Sequence, residues 1–335
     1  MKAVKKKVFQ GESKEMAEPL FLEPVFHEKI WGGTGLRDEF GYDIPSDHTG
    51  EAWAISAHPH GPASIKNGPY QGMKLNELWD QHRELFGNAK GDVFPLLTKI
   101  LDANQDLSVQ VHPDNEYARI HEGELGKTES WYVIKAKPGA KLYYGHNAQT
   151  REEFADMIHH KEWKKLLRTV PVHEGDFFYV PHGMVHAVGA GIMVLETQQS
   201  SDTTYRMYDF DRVDKKTGKL RQLHLQQSID TVEVPFEMPK LNHEEWDVGD
   251  VHVTQFVMAE YFGVFKLDVR GKGDFEIKDG KYRLLSVLDG SCDLTVDGQT
   301  YPLKKGDHLI LPSTISCYTL DGQATIIASK PGDEA

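Results

Sequence analysis

The sequence predicts a mainly β chain made of two β-barrel modules of one type, with a small helical insert. Three observations predict it. Short aromatic and β-branched runs recur between turn residues, at 130–134 (Ser-Trp-Tyr-Val-Ile), 176–180 (Asp-Phe-Phe-Tyr-Val) and 191–195 (Gly-Ile-Met-Val-Leu). Helical periodicity is confined to a few short stretches. Finally, Gly175-Asp-Phe-Phe-Tyr-Val-Pro181 returns as Gly306-Asp-His-Leu-Ile-Leu-Pro312, at an offset of 131 residues. Pro171 and Pro302 precede the two copies. That period is too long, and two copies too few, for a solenoid, so two related modules are the simpler reading.

Along the chain, residues 1–18 are lysine-rich with no apolar block behind them, and are read as an N-terminal extension. Residues 19–232 form the first module. Within it, Leu75, Leu78, Trp79, Leu85 and Phe86 share a helical face that Gly87 ends. A helical insert at about 150–168 opens on Thr150-Arg-Glu-Glu153, a capping-box pattern. A third helical stretch lies at about 223–231. Residues 233–250 are proline-marked and acidic, and read as a linker. Residues 251–335 form the second module. The copies differ at one telling place: five residues after Pro181 stands His186, but five after Pro312 stands Cys317. Only the first module keeps the histidine there.

Composition excludes several classes. The chain has 335 residues and a formal net charge of -13, which argues against a nucleic-acid face. No apolar run reaches the ~18 residues of a membrane helix. Two cysteines, Cys292 and Cys317, give no disulfide framework and favour a reducing, cytoplasmic setting. Oligomeric state is not legible.

The strongest chemical signal is Ser108-Val-Gln110-Val-His112-Pro113-Asp114. Alternation in a strand puts Gln110 and His112 on one face, and Pro113 stops the strand beside them. Lys127-Thr-Glu129 brings a carboxylate at the start of the next strand. Gly175-Asp-x4-Pro181-x-Gly183-x2-His186 brings a second imidazole. Two imidazoles, a carboxylate and an amide oxygen suit a divalent transition metal with open positions.

Gly-Asp-x4-Pro-x-Gly-x2-His is similar to the second half of the cupin motif, whose fold is a jelly-roll barrel. The wider set strongly resembles the type I mannose-6-phosphate isomerases. It comprises Lys29-Ile-Trp31-Gly-Gly, Gly50-Glu51-Ala-Trp, Pro95-Leu-Leu-Thr-Lys99, Gln110-Val-His112-Pro-Asp, Lys127-Thr-Glu129, His186-Ala, Leu195-Glu-Thr-Gln and Asp202-x3-Arg206. The match runs from about Pro24 to about Tyr208. The resemblance implies one zinc ion per chain on Gln110, His112, Glu129 and His186, with Arg206 catalytic. It also implies that Trp31, Glu51, Lys99, Ser108, Lys127 and Asp202 line a sugar-phosphate site. The implied reaction is aldose–ketose isomerisation of mannose 6-phosphate and fructose 6-phosphate through an enediol. The large helical domain of the longer members is missing. The base stays open among Glu51, Asp202, Glu196, His112 and Lys127. Lys99, Ser108 and Lys127 are the phosphate candidates, with Arg206 as a substitute.

Two other readings compete: a non-haem iron cupin oxygenase using the same two histidines and carboxylate, and a non-catalytic sugar-binding bicupin. His58-Pro59-His60 has the spacing of a metal pair, but Pro59, Gly61 and Pro62 predict an exposed turn instead.

Overall fold

The computed structural model describes residues 17–214 and 216–335, so most of the predicted extension at 1–18 lies outside the described residues. The chain is mainly β, and the helical signals form where the periodicity puts them. Leu75–Gln81 buries Leu75, Leu78 and Trp79, a 3-10 turn follows at Arg83–Phe86, and Gly87 at φ 71° ends it. In the insert, Arg151–His159 is capped by Thr150, whose Oγ1 accepts from the Glu153 N–H at 3.1 Å. Glu153 reaches back to the Gln149 N–H rather than to that of Thr150. Trp163–Leu166 completes the insert and Leu225–Thr231 is the third stretch.

Two antiparallel sheets make up the front of the molecule. One has six strands in the order Phe177–Val180, Glu129–Ala136, Ile192–Gln199, Leu96–Ala103, Thr49–Ile55 and Val25–Gly33. The other has five, in the order Tyr205–Tyr208, Val109–Val111, His186–Ala187, Lys141–His146 and Leu167–Pro171. At the rear, a ten-stranded sheet runs from Glu244–Val248 through Val251–Met258, Phe262–Val269, Cys317–Pro331, Arg283–Val296 and His308–Leu311. It then continues into the front through Leu20–Glu23 and Ser64–Ile65.

The expectation of two barrel modules is corrected here, because these are open sheets rather than closed barrels. The physical reason lies at an edge. The exposed N–H and C=O groups of His308–Leu311 are paired by Leu20–Glu23 from the front half, so that edge is covered without closing a ring. Part of the proline-marked stretch at 233–250 is also ordered: Glu244–Val248 is the edge strand beside Val251–Met258.

The sequence repeat has a structural counterpart. Gly175 and Gly306 sit at φ 88° and 90°, a region that an L side chain rarely enters. Asp176 accepts the N–H of His173 at 2.8 Å, and Asp307 accepts that of Lys304 at 2.9 Å. A four-residue strand follows each, ending at Pro181 and Pro312. Beyond the prolines the copies part: His186 is buried, whereas Cys317 is exposed.

Front and rear share one core. Phe86 and Phe94 from the front each pack at 5.4 Å on Tyr282 from the rear, and Trp79 completes the cluster. Nearby, the Tyr42 hydroxyl reaches Gly306 O at 2.9 Å and the buried His308 ring at 2.8 Å. Among the described residues no helix is long and apolar enough to cross a membrane.

Two tests follow from this junction. Phe86→Ala should lower the unfolding free energy by about 3–5 kcal/mol in urea titrations, the range for emptying a buried aromatic site. Burial, then Lys66, pushes the His308 imidazole down to about 3, so unfolding takes up a proton between that pH and its ordinary 6.5. Stability should therefore fall as pH drops through that window, and His308→Gln should flatten the slope measured by thermal melts.

Candidate metal centre and its cavity

Strand register assembles the site. Arg206 lies opposite Gln110, and Gln110 opposite His186, so one transverse row crosses three strands of the five-stranded sheet. Directly opposed residues point to the same face. In the six-stranded sheet a second row runs Trp53, Lys99, Glu196, Trp131. Glu129 shares that face, two residues from Trp131. The two rows meet where Glu129 reaches across to the histidines.

That meeting point is the metal-ligand cluster. His112 Nε2 is 3.4 Å from Glu129 Oε2, and His186 Nε2 is 3.1 Å from Glu129 Oε1. The two Nε2 atoms are 3.2 Å apart, and the Gln110 amide stands 3.4 Å from His186 Nε2. A half-turn of that amide presents its oxygen instead of its nitrogen. His186 Nδ1 donates to Met184 O at 2.8 Å, which leaves the Nε2 lone pair free for an ion.

The donor set fits a divalent cation. Both Glu129 oxygens are buried without a hydrogen bond, a costly state for a lone carboxylate. Burial alone would raise this carboxyl, but Lys127 and the two imidazoles hold it well below its ordinary range. Burial, then Lys127, pushes His112 down to about 3, so its ring stays neutral and able to ligate. The ligand atoms of His112, Glu129 and His186 lie within 4.8 Å of one another.

The cavity above this cluster collects every other residue singled out in the sequence: Trp31, Glu51, Lys99, Ser108, Lys127, Asp202 and Arg206 all line it. Their charges are paired with two kinds of outcome. Lys99 is buried 3.3 Å from Glu196, and its ammonium is held above the ordinary value because Glu196 and Glu51 outweigh burial. Glu51 is drawn down to about 2 against its burial by Lys29 and Lys99, and accepts the Trp53 indole N–H at 2.8 Å. Lys127 is 3.4 Å from Glu129. Arg206 differs: among the described residues it has no ion-pair partner. It donates to Ser108 Oγ at 3.3 Å and Gln222 O at 2.9 Å. Burial and the nearby Arg221 push it down to about 10, so an anion there would be welcome.

Sequence reasoning missed Lys29, Thr204 and Arg221 on the cavity wall. Lys29 could have been found, since it shares a strand face with Trp31. Arg221 lies just past the two-residue strand Lys219–Leu220, held by Asp209 at 2.6 and 2.8 Å, and no local pattern marks it. Glu196 was weighed only as a base; burial and then Glu129 raise its carboxyl to about 8. The reading of 58–60 as an exposed turn is half corrected: Pro59 and His60 are exposed, but His58 is buried and 3.2 Å from Glu124.

Comparison with known proteins agrees with this geometry. Residues 20–163 match the family model for the phosphomannose isomerase type I catalytic domain, and 252–331 match the mannose-6-phosphate isomerase cupin domain. Mannose-6-phosphate isomerase of Streptococcus mutans is 56% identical over 319 residues, covering 95% of this chain and 100% of that protein. Mannose-6-phosphate isomerase ManA of Bacillus subtilis is 53% identical over 315 residues, covering 93% and 98%. The crystal structure of mannose 6-phosphate isomerase from Bacillus subtilis superposes with a TM-score of 0.90 at 49% identity, covering 93% and 99%.

Metal analysis after dialysis tests the cluster. His112→Ala and His186→Ala should each lose nearly all bound divalent metal. Gln110→Ala should keep a weaker site, because a neutral amide contributes no charge to the ion.

Proposed function

This chain belongs to the type I phosphomannose isomerase family, and from that premise we propose that it interconverts mannose 6-phosphate and fructose 6-phosphate at a zinc ion held by Gln110, His112, Glu129 and His186. The observation that carries the reading is the convergence of those four side chains beneath a cavity walled by Lys29, Lys99, Lys127, Arg206 and Arg221. Bound zinc supplies Lewis-acid polarisation of the sugar's C1 and C2 oxygens and no redox chemistry.

The remaining work falls to the chain itself. Arg206, beside Gln110 and without a carboxylate of its own, stabilises the enediolate as negative charge develops. Ser108 and Arg221 hold the 6-phosphate on the same side of the cavity. Lys99 and Lys127, buried against Glu196 and Glu129, orient hydroxyls rather than carry the phosphate; Arg221 is also paired with a carboxylate but is more exposed. Glu51 and Asp202 accept from sugar hydroxyls, and Trp31 closes an apolar wall. Glu196, buried 3.3 Å from Lys99 and on the same sheet face as Glu129, moves the proton between C1 and C2.

In this division of labour residues 19–232 do the chemistry. Residues 251–335, whose repeat copy ends in Cys317 rather than a ligand, support the front half from behind. The redox-cupin and sugar-sensor readings share the metal ligands, but neither needs the ring of cations. The two free cysteines fit a reducing, cytoplasmic setting.

A coupled assay converting fructose 6-phosphate tests the proposal. Activity should vanish with a chelator and return with zinc. Arg206→Ala should keep its metal yet lose about 10²–10³-fold in kcat, the usual loss when a group that stabilises a developing oxyanion is removed. Near-normal turnover in that variant would take Arg206 out of the chemistry.

A further inference from the structure

Two of the segments that wall the cavity lie far apart in sequence. Residues 127–129 carry Lys127 and Glu129, while 202–206 carry Asp202 and Arg206. One side chain outside the cavity joins them. Glu124 sits on the loop after helix Asn115–His121, three residues before Lys127. Its Oε2 accepts from the Ser201 hydroxyl at 3.1 Å, the Asp202 N–H at 3.2 Å and the Thr203 hydroxyl at 2.9 Å. Its other oxygen is 3.2 Å from the buried His58 Nε2.

The two histidines set aside as a turn therefore have a place in the site. His58 braces Glu124, and its Nδ1 accepts the His60 N–H at 3.2 Å. The His60 ring, in turn, is 2.9 Å from Asp202 Oδ2. Asp202 is thus fixed at its backbone by Glu124 and at its carboxylate by His60. A second staple lies alongside: the Tyr205 hydroxyl donates to Glu122 at 2.8 Å, next to Arg206. Glu124 stays ionised, its carboxyl held near 2 chiefly by the bond from His58.

We infer that Glu124, braced by His58, is a positioning residue for the isomerisation: it sets Asp202 and the entry to Arg206 against the segment 127–129 that carries Lys127 and Glu129. It touches neither substrate nor metal and acts through the 201–203 turn. This rests on the isomerase reading for its kinetic consequence, but not for its structural one.

The test uses the full-length enzyme loaded with zinc. Glu124→Ala should lose about tenfold in kcat/KM for mannose 6-phosphate, since small misplacements of substrate-positioning groups cost on this scale. It should keep one equivalent of metal. Glu124→Gln retains an accepting oxygen and should recover most of the loss; it also stands in if the alanine variant folds poorly. In an Asp202→Asn background, Glu124→Ala should cost less than about twofold more, because residues in one network are not additive. Full additivity, or metal loss as the cause of the defect, overturns the inference. Independently of activity, amide exchange at 200–206 should quicken in Glu124→Ala, and unchanged exchange overturns it too. A wild-type enzyme inert toward mannose 6-phosphate would sink the isomerase reading while leaving the exchange experiment decisive.

Discussion

A buried carboxylate without a hydrogen bond organises this molecule. Glu129 stands at the start of a strand in one sheet and faces two imidazoles from the other. Removing a carboxylate from water is expensive unless positive charge answers it. Lys127 answers part of that demand from two residues away, and the two imidazoles, His112 held neutral by burial, leave room for a cation to answer the rest. The sheets must then meet at this point and in this register. A one-residue slip would turn Gln110 or Glu129 to the opposite face.

The same logic of alternation spreads outward. Cross-strand rows place Arg206, Gln110 and His186 on one wall and Lys99 and Glu196 on the other. Charges on these walls are mostly paired with each other, so they hold shape as well as offering chemistry. Arg206 is the exception: it stands beside Ser108 and Arg221 with no carboxylate partner among the described residues. Behind, the second copy of the repeat preserves the turn and strand of the first while dropping the ligand. Its strand His308–Leu311 receives Leu20–Glu23, and elsewhere in the rear Tyr282 forms an aromatic joint with Phe86. Glu124 extends the theme, since a residue remote from the ion can tie two wall segments together through a single turn.

Much of this was legible in the residues. Period-two alternation placed Gln110 with His112, and Pro113 marked the strand end. The helices at 75, 151 and 225 followed from periodicity and capping. The repeat recurs as the same turn and strand before Pro181 and Pro312, and His186, present after the first copy alone, joins the cluster with His112 and Glu129. What could not be read were relations set by distant packing. The proline-marked stretch at 233–250 contains an edge strand because Val251–Met258 offers it unpaired backbone, a fact about a partner rather than about 244–248 themselves. Open sheets replaced the expected barrels for a similar reason.

By itself, then, the sequence determined which side chains could bind an ion, which faces they occupy, and which of two related units keeps them, because these depend on spacing of a few residues along one strand. Only the tertiary structure decided that Lys99 is locked to Glu196, that Arg221 joins the cavity, and that His58 is buried against Glu124. Those relations arise between segments that local pattern leaves independent, and long-range burial and charge pairing fix them only once the sheets have closed on one another.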